Sequence, residues 1–213
     1  MFQELYEEMV RFASDGDFSG ELKSAREEYV ERTGDLFETD ANYEPRIAAF
    51  LEWYVLDRAV STNANKTPAR LYIESVTPNL TTPEVNRLRG MTRTILSLFE
   101  FRRVNGDFIN VVNLLNNEKH RIFERRKPAG LDSGDILEAR LIPFDDKLYF
   151  SESFTCHPRP ARKAILKAAK AFRKGGHVKD RITLVHRVAY LSNRCERYKH
   201  VDPKKIFEDL NAS

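Results

Sequence analysis

Cysteine is scarce: the 213 residues hold two, Cys156 and Cys195. Two thiols cannot make the disulfide framework on which small secreted domains depend. Long hydrophobic runs are missing too, and no stretch approaches the roughly 18 apolar residues that would span a bilayer. The opening segment MFQELYEEMVRF is acidic and lacks the basic start and apolar stretch of a secretory signal. The sequence therefore predicts a cytoplasmic protein with reduced thiols and no membrane span. In that compartment the glycosylation patterns Asn65-Lys66-Thr67 and Asn79-Leu80-Thr81 carry no weight. There is no glycine-rich phosphate loop, no Gly-x-Ser-x-Gly and no His-Glu-x-x-His. Neither an enzyme nor a cofactor is expected. Cys156, His157, His177, His186, Cys195 and His200 cluster in the last third, but the paired spacing of a zinc site is absent. No metal is expected, and Cys195 reads as a buried thiol on a helix stripe.

What is present is enough for a core: 41% hydrophobic and 11% aromatic residues. The net charge of +3 hides a strong polarity. Residues 1–60 carry 6 Lys and Arg against 15 Asp and Glu, while residues 159–205 carry 15 against 3. Such a split predicts ends with different partners, or one end masking the other.

Helical spacing runs through the first part of the chain. Phe2, Leu5, Tyr6, Met9 and Val10 lie on one face over residues 2–13, and Leu22, Ala25 and Tyr29 on another over 20–32, with Gly34 as a helix end. Residues 44–60 are apolar over most of their circumference, which predicts a central helix. Residues 69–75 read as a short helix. Thr82-Pro83-Glu84 reads as a helix start, with Thr82 as cap, for a helix running to about residue 96. The period then falls to two. Asn105-Gly106 is a hairpin signal between residues 97–104 and 107–115. Asn116-Asn117, Asp132-Ser133-Gly134 and Asp145-Asp146 mark further turns around the runs 119–126, 135–144 and 147–154. After Pro158 and Pro160 the helical period returns over 160–174 and 179–198.

These patterns predict an α+β chain: a helical region over residues 1–96, a small five-stranded antiparallel β-barrel over 97–155, and a basic helical hairpin over 156–213. Closure into a barrel would leave no exposed strand edge.

The run Phe50-Leu51-Glu52-Trp53-Tyr54-Val55-Leu56-Asp57-Arg58, followed by Lys66-Thr67-Pro68, resembles a group of uncharacterised bacterial proteins. In these a helical segment precedes a compact β-unit, and some carry a cysteine-rich zinc-binding tail of the SEC-C type. Ser133-Gly134-Asp135-Ile136-Leu137-Glu138-Ala139-Arg140-Leu141 is similar in layout to their β-unit. The resemblance covers about residues 44–152 and implies no activity. This chain lacks the cysteine-rich tail and has basic helices in its place.

The candidate site lies in those helices. Lys163, Lys167, Lys170 and Lys174 recur at helical spacing and share one face, opposite Ala161, Ile165, Ala168 and Phe172. Arg159, Arg162 and Arg173 widen the basic face. Aligned ammonium groups repel, and a polyanion relieves the repulsion. The face therefore reads as a nucleic-acid contact, as an ion-pair partner for acidic protein surface, including the chain's own acidic helices, or as a solvated face. On the strands, Lys119, Arg121 and Arg125 are the second basic candidates, near Arg102, Arg103, Arg126 and Lys127; small barrels with such basic and aromatic faces often bind single-stranded nucleic acid by stacking and phosphate contacts. Phe123 between them is expected to point into the core. Arg121-x-x-x-Arg125 also resembles the arginine pair of the cyclic-dinucleotide-binding PilZ family, but Asp132-Ser133-Gly134 does not match the downstream motif of that family. A non-enzymatic binding or regulatory protein is the expectation, with nucleic acid or an acidic protein as partner; the alternatives are a protein-protein adaptor that uses its oppositely charged helical ends and an enzyme with an unrecognised site.

Overall fold

The computed structural model describes residues 2–63, 66–125, 130–176, 178 and 180–211. Asn65, Arg126, Lys127 and His177, named above, lie outside them. Helices α1 (Phe2–Ser14), α2 (Ser19–Thr33), α3 (Tyr43–Leu56), α4 (Pro68–Val76) and α5 (Thr82–Met91) come first. Six strands follow: β1 (Ile95–Asn105), β2 (Phe108–Asn113), β3 (Lys119–Phe123), β4 (Ile136–Phe144), β5 (Lys147–Phe150) and β6 (Thr155–Cys156). Helices α6 (Arg162–Arg173), α7 (Arg181–Arg197) and the short α8 (Pro203–Ile206) come next, followed by a 3-10 turn over Phe207–Asn211. The architecture is α+β, and no described helix is long and apolar enough to cross a membrane.

Local chemistry sets the boundaries. Gly34 ends α2 at φ 87°, a conformation that a side chain would strain, and its N–H reaches Val30 O at 2.7 Å. Helix α5 is capped by Thr81 rather than Thr82: the Glu84 carboxylate accepts from the Thr81 N–H at 2.8 Å, a reciprocal capping box. That helix stops at Met91 because β1 starts at Ile95, earlier than the alternation suggested. The first hairpin turn is centred one residue later than Asn105-Gly106. Asn105 still pairs with Phe108, and only Gly106 takes a positive φ, 60°, as a turn with glycine first requires. Asp145 and Asp146 both adopt positive φ, 44° and 60°, and close the β4–β5 hairpin.

Strand pairing runs β1-β2-β3-β5-β4, and β4 pairs again with β1, so the sheet returns on itself. All pairings are antiparallel except β3–β5, which is parallel and rests on one residue pair, Ile122↔Leu148. The expected five antiparallel strands are thus corrected at that junction, and a sixth, two-residue strand is added against β4. Alternation sorts side chains into the ring and out of it. Phe99, Phe101, Ile109, Val111, Ile122, Leu137, Ala139, Leu141 and Phe150 form the inner cluster.

Helices cover the outer face of β1 and β4. Leu96, Leu98 and Ile136 pack with Ile165, Ala168 and Ala169 of α6 and Leu184, Val188 and Leu191 of α7. A second cluster joins Met9, Ala13, Tyr29, Trp53 and Tyr54 from α1 to α3. The two ends of the chain meet where α2 packs on α7. There Asn193 donates to Thr33 O at 2.9 Å, and Arg197 pairs with Asp40 at 3.4 Å and Asp35 at 3.6 Å.

Because helices lie over the outside of β4, its outward charged residues are buried. Arg140, 1% exposed, donates to Glu52 at 3.2 Å and Thr94 at 2.6 Å and is paired with Asp57. The Glu52 carboxylate also accepts from the Ser151 hydroxyl at 3.0 Å, the Ser153 hydroxyl and the Ser153 N–H. Burial holds the Glu52 carboxyl above its ordinary range even beside Arg140. Two residues along β4, Glu138 Oε2 lies 3.7 Å from His157 Nε2, and His157 Nδ1 lies 2.7 Å from the Ser192 hydroxyl. Burial pushes Glu138 up to about 8 and His157 down to about 3, so both are neutral at pH 7.

Candidate nucleic-acid interface

Helix α6 is amphipathic in the sense that the sequence suggested. Ala161, just before it, and Ile165, Ala168 and Ala169 are buried, while Lys163, Lys167, Lys170 and Lys174 are exposed. Among the described residues none of these four lysines has an acidic partner within ion-pair distance. Lys163 and Lys167 line an open groove of about 520 Å³ with Pro160, Ala164, Lys204, Phe207 and Glu208. Three ammonium groups and one carboxylate therefore border an apolar floor. Lys204 was not singled out in the sequence, since its position across from α6 depends on how α8 turns back.

The arginines of this region have other work. Arg159 is held by Asp132 at 2.6 Å and by Asp135 at 2.8 Å, and this contact keeps the Asp135 carboxyl below its ordinary range. Arg162 bridges Glu100 at 2.9 Å and Gly134 O at 2.9 Å. Arg173 donates to Leu114 O. These three fasten α6 to the sheet and leave the lysines facing outward.

Arg121 lies on the outer face of β3, and Arg125 follows two residues past the end of that strand. Their neighbour Phe123 does not enter the core as expected. Ile122 occupies the inward position with no exposure, so period two sends Phe123 outward with Arg121. The Arg121 guanidinium stands 3.7 Å from the centre of the Phe108 ring, and that of Arg125 stands 5.5 Å from the Phe123 ring.

Other sequence candidates fall in different places. Cys195 is buried on the inner stripe of α7, and Cys156 is exposed. No group of three or more His, Cys, Asp or Glu is placed to hold a metal among the described residues. A groove of about 530 Å³ between α5 and the β4–β5 hairpin is bordered by Arg87, Asp145, Asp146 and Lys147. Its mixed charge suits no single class of ion. The Glu138, His157 and Ser192 side chains are buried and line none of these grooves.

No curated protein and no solved structure matches the chain. A family profile matches residues 22–194, which takes in the segment 44–152 that resembles uncharacterised proteins; nothing in the match supplies a SEC-C tail. The match spans from α2 to the last turns of α7, and the chain therefore belongs to the family of unknown function DUF7986.

Proposed function

We propose that this chain is a non-catalytic nucleic-acid-binding protein that holds the phosphate backbone on the lysine face of α6. The observation that carries the reading is the groove in which Lys163 and Lys167 meet Lys204 with no acidic partner on either α6 lysine. Unpaired ammonium groups on a rigid helix gain most from a polyanion, whose condensed counterions they release. An adaptor role for oppositely charged ends has less to work with. Arg197 consumes Asp35 and Asp40, Arg46 also holds Asp40, and Arg58 is paired with Glu21 and Glu28, so part of the acidic end is already neutralised. In this reading the strand ring is a small barrel and the protein works in the cytoplasm.

Fluorescence anisotropy with a labelled duplex oligonucleotide at rising salt tests it. Affinity should fall steeply with salt, with a log–log slope of about 2–4 if three or four phosphates are neutralised. Lys163→Glu combined with Lys167→Glu should abolish binding while leaving the circular dichroism spectrum unchanged. Absence of binding at low salt, or an unaltered affinity in the double variant, would refute the assignment.

A further inference from the structure

The outer face of β2, β3 and β5 carries a row of aromatic rings that the core does not use. Register places them. Phe108 pairs with Phe123 across β2 and β3, and Tyr149 pairs with the outward Ile142 across β5 and β4. Phe108 and Phe123 are 5.4 Å apart between ring centres, and Phe123 and Tyr149 are 5.7 Å apart. All three are half-buried and belong to none of the core clusters. The principal packing partners of β2 and β3 are neighbouring strands, whereas α7 packs on β1 and α5 on β4.

The rings are interleaved with cations. Besides Arg121 over Phe108, the Lys147 ammonium stands 4.2 Å from the centre of Phe123, with Arg125 on the same ring. None of these three cations has an acidic partner among the described residues. Cross-strand aromatic pairs do stabilise sheets. Cation–π attraction contributes about 0.5–1 kcal/mol per contact at exposed sites and leaves the mutual repulsion of three cations with no acidic partner to offset it. A ligand that brings both flat π-faces and negative charge satisfies both halves of the surface. A base stacks on Phe or Tyr, or on the outer plane of a ring-bound guanidinium, and the phosphates meet the cations. A duplex keeps its bases stacked inside and cannot offer them.

We infer that this face is a single-strand nucleic-acid platform, in which bases stack on the row Phe108, Phe123 and Tyr149 and the backbone runs along Arg121, Arg125 and Lys147. The inference rests on the nucleic-acid reading above for its class of ligand and adds a second surface, distinct from α6. Two probes separate stacking from charge: a labelled oligouridylate of about 12 nucleotides, and an abasic strand of the same length that keeps the phosphates. The wild-type protein should bind the abasic strand at least about 10-fold more weakly than the oligouridylate. Phe123→Leu and Tyr149→Leu, which keep apolar volume but remove the flat ring, should each weaken oligouridylate binding by about 5- to 100-fold. Neither should change binding of the abasic strand or of a duplex. Equal affinity for the two strands, or unchanged oligouridylate binding in both variants, would overturn the platform even if the α6 assignment stands. Conversely, loss of discrimination in Phe123→Leu with no effect from Lys163→Glu and Lys167→Glu would remove the α6 assignment and leave the platform. No binding of any probe at low salt would remove both.

Discussion

Replacing Arg140 with Met leaves Glu52 inside the protein without its cationic partner. Arg140 is 1% exposed and Glu52 2% exposed, so neither can recover hydration without opening the layer between α3 and β4. Glu52 would keep the Ser151 and Ser153 hydrogen bonds, and Asp57, which is more accessible, would turn toward water. Removing one partner of a buried pair costs about 3–5 kcal/mol. At about 2–4 °C per kcal/mol for a chain of this size, Tm should fall by roughly 6–20 °C. Glu52→Gln alone keeps an acceptor for the serines and leaves Arg140 with Asp57 and Thr94, so it should cost less. The double variant should be less destabilised than the sum of the single ones by at least about 1 kcal/mol. Urea denaturation followed by circular dichroism measures all three.

The same variant has a signature in pH. Burial already holds the Glu52 carboxyl above its ordinary value near 4.5, with Arg140 and the serines opposing. Without Arg140 it should rise further. A folded-state value above the unfolded one withdraws stability as pH climbs from the unfolded toward the folded value. The penalty of Arg140→Met should therefore grow from pH 5 to pH 8. A cost below about 1 kcal/mol, simple additivity with Glu52→Gln, or a penalty constant with pH would refute the reasoning.

Glu138→Gln should stabilise the protein. The carboxyl sits at about 8 in the fold, so stability is withdrawn from about pH 4.5 upward, and relieving this gives on the order of 3 kcal/mol at pH 7. Thermal melts of both proteins should converge near pH 4 and separate toward pH 8. His157 acts on the other side: its folded value of about 3 makes the wild type lose stability as pH falls from about 6.5, and His157→Gln should flatten that acid limb. Of the two thiols, Cys156 should react with a disulfide reagent in the native protein, and Cys195 only as fast as the protein opens. A single-phase reaction of both thiols would contradict the packing of α7.

Much of the helix and strand order was legible because it follows from period alone. The apolar circumference of α3, the Gly34 stop and the alanine face of α6 are short-range patterns that the structure keeps. What escaped was set at long range. Glu138 and Arg140 alternate with Leu137, Ala139 and Leu141, and nothing within the strand itself marks them as buried. Arg140 is buried against α3, whose Glu52 lies 88 residues earlier, and Glu138 lies against His157. The burial habit of large aromatics points Phe123 inward. The deciding residue was its neighbour Ile122, which the register with Leu148 places inside the ring. In the candidate site the lysine stripe was readable, whereas Lys204 and the rows formed by Phe108, Phe123 and Tyr149 needed the fold.

The meeting of α2 with α7 has a consequence for how the protein comes into being. Asn193 and Thr33 lie 160 residues apart, and Arg197 and Asp35 162 apart. Closing a loop of that length costs on the order of 4 kcal/mol of chain entropy, which delays such contacts until other structure has shortened the loop. During synthesis the first helices and the whole strand ring leave the ribosome before α7 exists. Until then Tyr29 and Trp53 lack the His186 edge that packs on them, and Leu98 and Ile136 lack the α7 side chains that help to cover them. The last fifth of the chain is thus the clasp that closes the molecule, and the nascent protein should need shielding until it emerges.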